Sequence, residues 1–131
     1  MAAQQRPLSP HLQVYRPQIT TVMSILHRAT GVLLAIGAFA LAAWLATIAS
    51  GGDAYGAFAA WVGSTPGRLA MLAMGAALVY HWLNGIRHLL WDVGWGFEIP
   101  RVYASGYVVI ALTVVITATL AWLGWNAGGV A

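Results

Sequence analysis

A chain of 131 residues with 60% hydrophobic and only 7% charged side chains cannot cover a water-soluble globule, whose charged share is ordinarily about 25%. Six arginines, three acids and no lysine give a net charge of +3, too sparse to grip a phosphate backbone, so nucleic acid is not an expected partner. No cysteine is present, which excludes disulfides, thiolate metal sites and Cys-held iron–sulfur clusters within this chain.

The polar stretch from Met1 to Pro17 holds Pro7, Pro10 and Pro17 and lacks the short apolar core of a signal peptide. It reads as an N-terminal segment, residues 1–20, lying outside the bilayer. A first span is expected over about residues 21–49. Within it, Ala29 to Ala49 is free of ionisable residues for about 31 Å of helix at about 1.5 Å per residue, the thickness of a hydrocarbon core. The segment from Ser50 to Gly67, punctuated by Gly51-Gly52 and Pro66-Gly67, reads as a turn-rich connection. A second span follows over about 69–91, then a loop from Asp92 to Pro100, then a third uncharged run over about 102–125. These runs are too long and too continuously apolar for barrel strands, and lipid admits only helices or closed barrels. The expected fold is therefore all-α: one membrane-anchor domain over residues 1–131, with three transmembrane helices belonging to a bundle that a partner subunit completes.

Orientation follows from the arginines. Arg6, Arg16 and Arg28 precede or open the first span, Arg87 and Arg101 flank the loop after the second, and only Arg68 falls on the other side. Positive charge accumulates on the cytoplasmic side or its organellar equivalent, so the N-terminus is expected there. Trp91, Trp95 and Tyr103 then form the inner aromatic belt, and Trp61, Trp122 and Trp125 the outer one.

An ionisable residue inside a span is costly enough to be a functional candidate by default. His81 lies roughly midway between Leu69 and Asp92, and Ala73, Ala77, Gly85 and His88 share its helix face at steps of three and four. Small residues beside a histidine leave room for a flat macrocycle, as heme ligation requires; they serve close helix packing equally well. A second axial ligand is not found in this chain at that depth. His88 is two turns away, and His27 and His11 lie nearer the first helix's start or before it. The other ligand is thus expected from another subunit, although spacing alone also allows a symmetric homodimer. A second cluster, Ser24, His27 and Arg28, shares one face of the first helix at the inner boundary, and that face continues as Gly31, Ala35, Ala38 and Ala42. With Arg87 and His88 at the same level, it offers donors suited to carboxylates, a polar head group or a quinone carbonyl. Asp92 and Glu98 read as solvated loop charges, and Thr113 and Thr117 as packing or back-bonding hydroxyls.

Two stretches carry a family resemblance. Arg6-Pro7-Leu8-Ser9-Pro10-His11-Leu12-Gln13-Val14-Tyr15-Arg16-Pro17, followed by Ser24-Ile25-Leu26-His27-Arg28-Ala29-Thr30-Gly31, and His81-Trp82-Leu83-Asn84-Gly85-Ile86-Arg87-His88-Leu89-Leu90-Trp91-Asp92 together resemble the cytochrome b-type membrane anchor of succinate dehydrogenase, complex II. The form is most like the mitochondrial and α-proteobacterial type. The resemblance implies a subunit that binds heme b and ubiquinone and passes electrons from succinate oxidation to ubiquinone without being catalytic alone. It implies His81 as an axial heme ligand, with the other ligand from a second small membrane anchor subunit. It implies Ser24 and Arg28 at the quinone, Ser24 bonding a carbonyl and Arg28 offsetting negative charge. It implies His27, Arg28 and His88 near the heme propionates. The N-terminal segment would dock on an iron–sulfur subunit that is itself joined to a flavoprotein subunit. The expected location is the bacterial cell inner membrane or the mitochondrial inner membrane, multi-pass, with the N-terminus on the cytoplasmic or matrix side. Rival readings are a heme-free quinone anchor, a small transporter or proton channel, a stand-alone diheme cytochrome and a purely structural membrane protein. A transporter or channel would be expected to carry an acidic residue within a span, and a diheme protein more mid-span histidines.

Overall fold

The computed structural model describes residues 15–127. Within them the chain is helical: α1 (Ile19–Ser50), α2 (Asp53–Gly63), α3 (Thr65–Asp92) and α4 (Ile99–Ala127). Residues 1–14, which carry Arg6, His11 and most of the expected N-terminal docking segment, lie outside the described residues. Three helices, α1, α3 and α4, are long and apolar enough to cross a membrane.

The connection between the first two spans is not the loop the sequence suggests. It folds into α2, an 11-residue helix. Gly51 and Gly52, both at positive φ (67° and 64°), turn the chain out of α1, and Asp53 then places a carboxylate in the first turn, where the helix dipole favours negative charge. At the other end Ser64 caps α3: its hydroxyl accepts from Gly67 N–H at 3.3 Å, and Pro66 sits in the first turn, where its missing N–H costs nothing. Gly67 is buried so tightly under Trp61 and Val62 that any Cβ would collide with their backbone, so this corner requires glycine. As a result α3 begins before Leu69.

Helix α3 is the axis of the molecule, packed against α1 on one face and α4 on another, with α1 and α4 also touching. One buried residue from each long helix forms the core: Met23, Tyr80 and Val109, flanked by Ile19 and Leu83. The Tyr80 hydroxyl donates to the Met23 carbonyl at 2.8 Å, so the one polar atom brought into this core is satisfied. Most other large apolar side chains are exposed, Phe39, Val32 and Trp122 among them. In a bilayer such a surface suits lipid, and packing together with interhelical hydrogen bonds holds the helices to one another.

Candidate functional site

The polar side chains gather where α1 begins, α3 ends and α4 begins. Four of the five described arginines, Arg16, Arg28, Arg87 and Arg101, stand at this end, with Arg68 alone at the other, over the Trp125 ring. All three described histidines lie toward the same end. His81 is about 17 Å along α3 from Asp92, and His27 about 12 Å along α1 from Ile19.

The two helices bring these rings into contact. His27 stacks on His81 with ring centroids 3.9 Å apart and planes 7° from parallel. His88, two turns further along α3, meets His27 at 5.2 Å and stands edge-on to Trp91 at 5.1 Å. The stacking is feasible because α1 presents Gly31 at the contact: a Cβ there would lie 3.1 Å from His81 Cε1. Sequence spacing assigns His27 to a shallower level, yet it sits at the depth of His81. It lies against the face of the His81 ring, however, and not beyond Nε2. Among the described residues no group of three histidines or acids converges on one metal position.

The hydrogen bonds of His81 fix its chemistry. Nδ1 lies 3.1 Å from the His27 carbonyl oxygen and 3.2 Å from Thr30 Oγ1. A carbonyl oxygen only accepts, so Nδ1 is the protonated nitrogen in the assignment that satisfies this geometry. Nε2 then carries the lone pair, and among the described residues it makes no hydrogen bond. A neutral imidazole held through Nδ1–H with Nε2 free is the donor arrangement of an axial iron ligand, so the residues present fit a heme. The ring is half-buried. Of the small residues on its face, Ala77 is buried, Gly85 lies against the His27 ring and Ala73 is exposed. Close helix packing therefore takes up part of that face.

Ser24 and Arg28 lie on the stripe of α1 beside the one touching α3: Ser24 half-buried, Arg28 exposed, neither hydrogen-bonded by its side chain among the described residues. Ala35, Ala38 and Ala42 continue that stripe and are exposed. His27 Nδ1 is buried without a partner among the described residues.

Arg87 departs from the grouping that the sequence suggests. It points away from Arg28 and His88, into the α3–α4 contact, and is 4% exposed. Its Nε donates to Ser105 Oγ at 2.9 Å, its Nη2 to the Val102 carbonyl at 2.8 Å and its Nη1 to Asn84 Oδ1 at 3.4 Å, and the guanidinium covers the Trp91 ring at 4.0 Å. A step of one residue along a helix turns a side chain by about 100°, which separates Arg87 from His88 although they are adjacent in sequence. A groove of about 580 Å³ runs down this far side between Leu83, Leu90, Val108 and Leu112, with Arg87 in its lining; Ser24, His27, Arg28, His81 and His88 do not line it. Asp92 is exposed, and Glu98 pairs with Arg101 at 3.1 Å on the surface. Thr113 back-bonds to Val109 as expected, whereas Thr117 Oγ1 is buried without a partner among the described residues.

Sequence reasoning passed over Thr30, Tyr80 and Asn84. Tyr80, Asn84, Arg87 and Trp91 recur at steps of three and four, so polar groups mark a second interior face of α3; Thr30 is the single hydroxyl one turn beyond His27.

Fold and site together define a multi-span helical membrane protein whose described histidines lie in the half of the bundle nearer the end where four of the five described arginines stand. Comparison with known proteins narrows this class. The model of the succinate dehydrogenase/fumarate reductase transmembrane subunit family matches residues 2–120, and the chain belongs to that family. It is 40% identical over 115 residues to the succinate dehydrogenase cytochrome b556 subunit of Rickettsia felis, covering 88% of this chain and 90% of the relative. To the mitochondrial cytochrome b560 subunit of Homo sapiens it is 40% identical over 120 residues, covering 88% and 70%. To that of Sus scrofa it is 41% identical over 118 residues, covering 88% and 70%. Membership makes the chain a membrane subunit of an oxidoreductase, not catalytic by itself.

Proposed function

We propose that this chain is the membrane anchor domain, residues 1–131, of a succinate:ubiquinone oxidoreductase, with His81 as an axial ligand to heme b through Nε2. The carrying observation is the bonding of His81: Nδ1–H is engaged by the His27 carbonyl while Nε2 is left free. A heme b, when bound, supplies a one-electron carrier within the bilayer. His81 would hold that group through Nε2. The other protein ligand would come from a second small membrane anchor subunit, since His27 lies against the His81 ring face and His88 lies two turns nearer the boundary. That subunit completes the bundle against the exposed stripe of Arg28, Ala35, Ala38 and Ala42, where small side chains permit close approach.

Around that ligand, His27, Arg28 and His88 supply donors for the propionates, and Ser24 and Arg28 serve the quinone. The Ser24 hydroxyl donates to a carbonyl oxygen, and the Arg28 guanidinium offsets the negative charge that arises there on reduction. Their side chains make no hydrogen bond among the described residues and sit at the level where a soluble iron–sulfur subunit, joined to a flavoprotein subunit, would meet the membrane. Electrons from succinate oxidation reach ubiquinone at that boundary. The arginine-rich end faces the cytoplasm or matrix of a bacterial cell or mitochondrial inner membrane. The test is the reduced-minus-oxidised optical spectrum of the purified complex carrying His81→Ala. Loss of the low-spin b-type bands is expected, and bands identical to those of the parent complex overturn the ligand assignment.

A further inference from the structure

We infer that Thr30 is a positioning residue for His81, setting which imidazole nitrogen is free and how the ring is rotated. The inference rests on the reading of His81 as an axial ligand and adds a residue of another helix to it. Thr30 Oγ1 is 2.8 Å from the Leu26 carbonyl and 3.0 Å from the His27 carbonyl, both of which only accept, so its one proton is committed along α1. What the hydroxyl turns toward His81 is a lone pair. At 3.2 Å that lone pair and the His27 carbonyl at 3.1 Å share the Nδ1–H of His81. Two acceptors converging on Nδ1 disfavour the other tautomer, in which Nδ1 would face them with a lone pair of its own and Nε2 would carry the proton.

Three residues of α1, His27, Thr30 and Gly31, also restrain the ring mechanically. His27 covers one face at 3.9 Å, and Gly31 admits the Cε1 edge to a distance at which a methyl group would press on it. Rotation about the Cβ–Cγ bond would break the contacts to Thr30 and His27 together. An acceptor on the remote nitrogen raises the basicity of a ligating imidazole, which favours the more highly charged iron. Thr30 is separated from Nε2 by the ring, so it acts through His81 and needs no contact with the iron.

The experiment compares Thr30→Ser, Thr30→Val and Thr30→Ala in the assembled complex, reading the midpoint potential of the b heme and the g-anisotropy of its low-spin signal. Thr30→Ser keeps the lone pair and is expected to match the parent in both. Thr30→Val puts a methyl against Nδ1–H, and Thr30→Ala leaves the position empty. Both are expected to raise the midpoint potential, and Thr30→Val also to alter the anisotropy. Should Thr30→Val fail to assemble, Thr30→Ala carries the comparison, since it adds no bulk. Parent values in the hydroxyl-free variants overturn the role of Thr30 while leaving His81 as the ligand. A parent spectrum in His81→Ala overturns the reading beneath it.

Discussion

The two interior faces of α3 place polar side chains in a membrane for different ends. Toward α4, Arg87 directs its donors to Ser105, the Val102 carbonyl and Asn84 and lays its plane on Trp91. Toward α1, His81 is held by one nitrogen only, His27 has a buried nitrogen without a partner among the described residues, and Arg28 beside them is exposed. A polar group in a span needs a partner, so a spent group has already met that need inside the chain, whereas an unspent one awaits something from outside it. On the proposed reading the Arg87 contacts serve stability and the α1–α3 face carries the heme and quinone donors; the division is not complete, since Asn84 Nδ2 is also buried without a partner among the described residues.

The largest effect is expected from Arg87→Ala. It removes three hydrogen bonds from a charged group and leaves a hollow behind Trp91, a loss of about 3 kcal/mol or more. Thermal inactivation of the assembled complex in detergent should show it, while the optical spectrum of whatever complex survives stays that of the parent. A complex of undiminished stability would erase the distinction between the two faces.

Two glycines test helix packing at smaller scale, Gly106 where α4 meets α1 and Gly37 where α1 meets α3. A Cβ on Gly106 would stand 2.9 Å from Met23 Sδ and 3.3 Å from Ile19 Cδ1. Met23 is 1% exposed and cannot swing away, so Gly106→Ala should cost about 1–3 kcal/mol through overpacking. Gly37 would bring its Cβ to 2.7 Å from Met74 Sδ, but Met74 is half-buried and flexible, so Gly37→Ala should cost less than about 1 kcal/mol. Parallel melting curves for the two variants check the ranking, which fails if Gly37→Ala is the worse.

The sequence conveys these structures unevenly, for physical reasons. Long uncharged runs dictate helices because lipid leaves backbone groups no other partner, so α1, α3 and α4 are legible from Ala29–Ala49, Leu69–Ile86 and Val102–Trp125. Helix α2 is not, because Gly56 and the flanking glycines read as turn chemistry; the signals for it are Asp53 in the first turn and the Ser64 cap that follows. Spacing along one helix brings out His81, and Ser24 with Arg28. It cannot show that His27 stacks on His81, since that depends on the relative height of two helices, set by the packing of Met23, Tyr80 and Val109. Nor does it tell which way Arg87 points, because the deciding partner, Ser105, belongs to another helix.

Arg28→Ala should be the mildest change in stability and the most selective in function. Its side chain is exposed and makes no hydrogen bond among the described residues, so its loss should shift folding stability by no more than about 0.5 kcal/mol. If the guanidinium bonds a quinone oxygen that becomes negative on reduction, removing that charge-assisted bond costs about 1.5–3 kcal/mol, on the order of a 10-fold to 100-fold loss of quinone reduction. Succinate oxidation with a water-soluble artificial acceptor bypasses that step and should remain near the parent rate. Equal loss in the two assays would mean that Arg28 acts in assembly instead, through the partner subunit expected over the exposed stripe of α1. An Arg28→Lys variant sharpens the outcome: it restores the charge but not the planar fork, so partial recovery of quinone reduction separates electrostatic from geometric contributions.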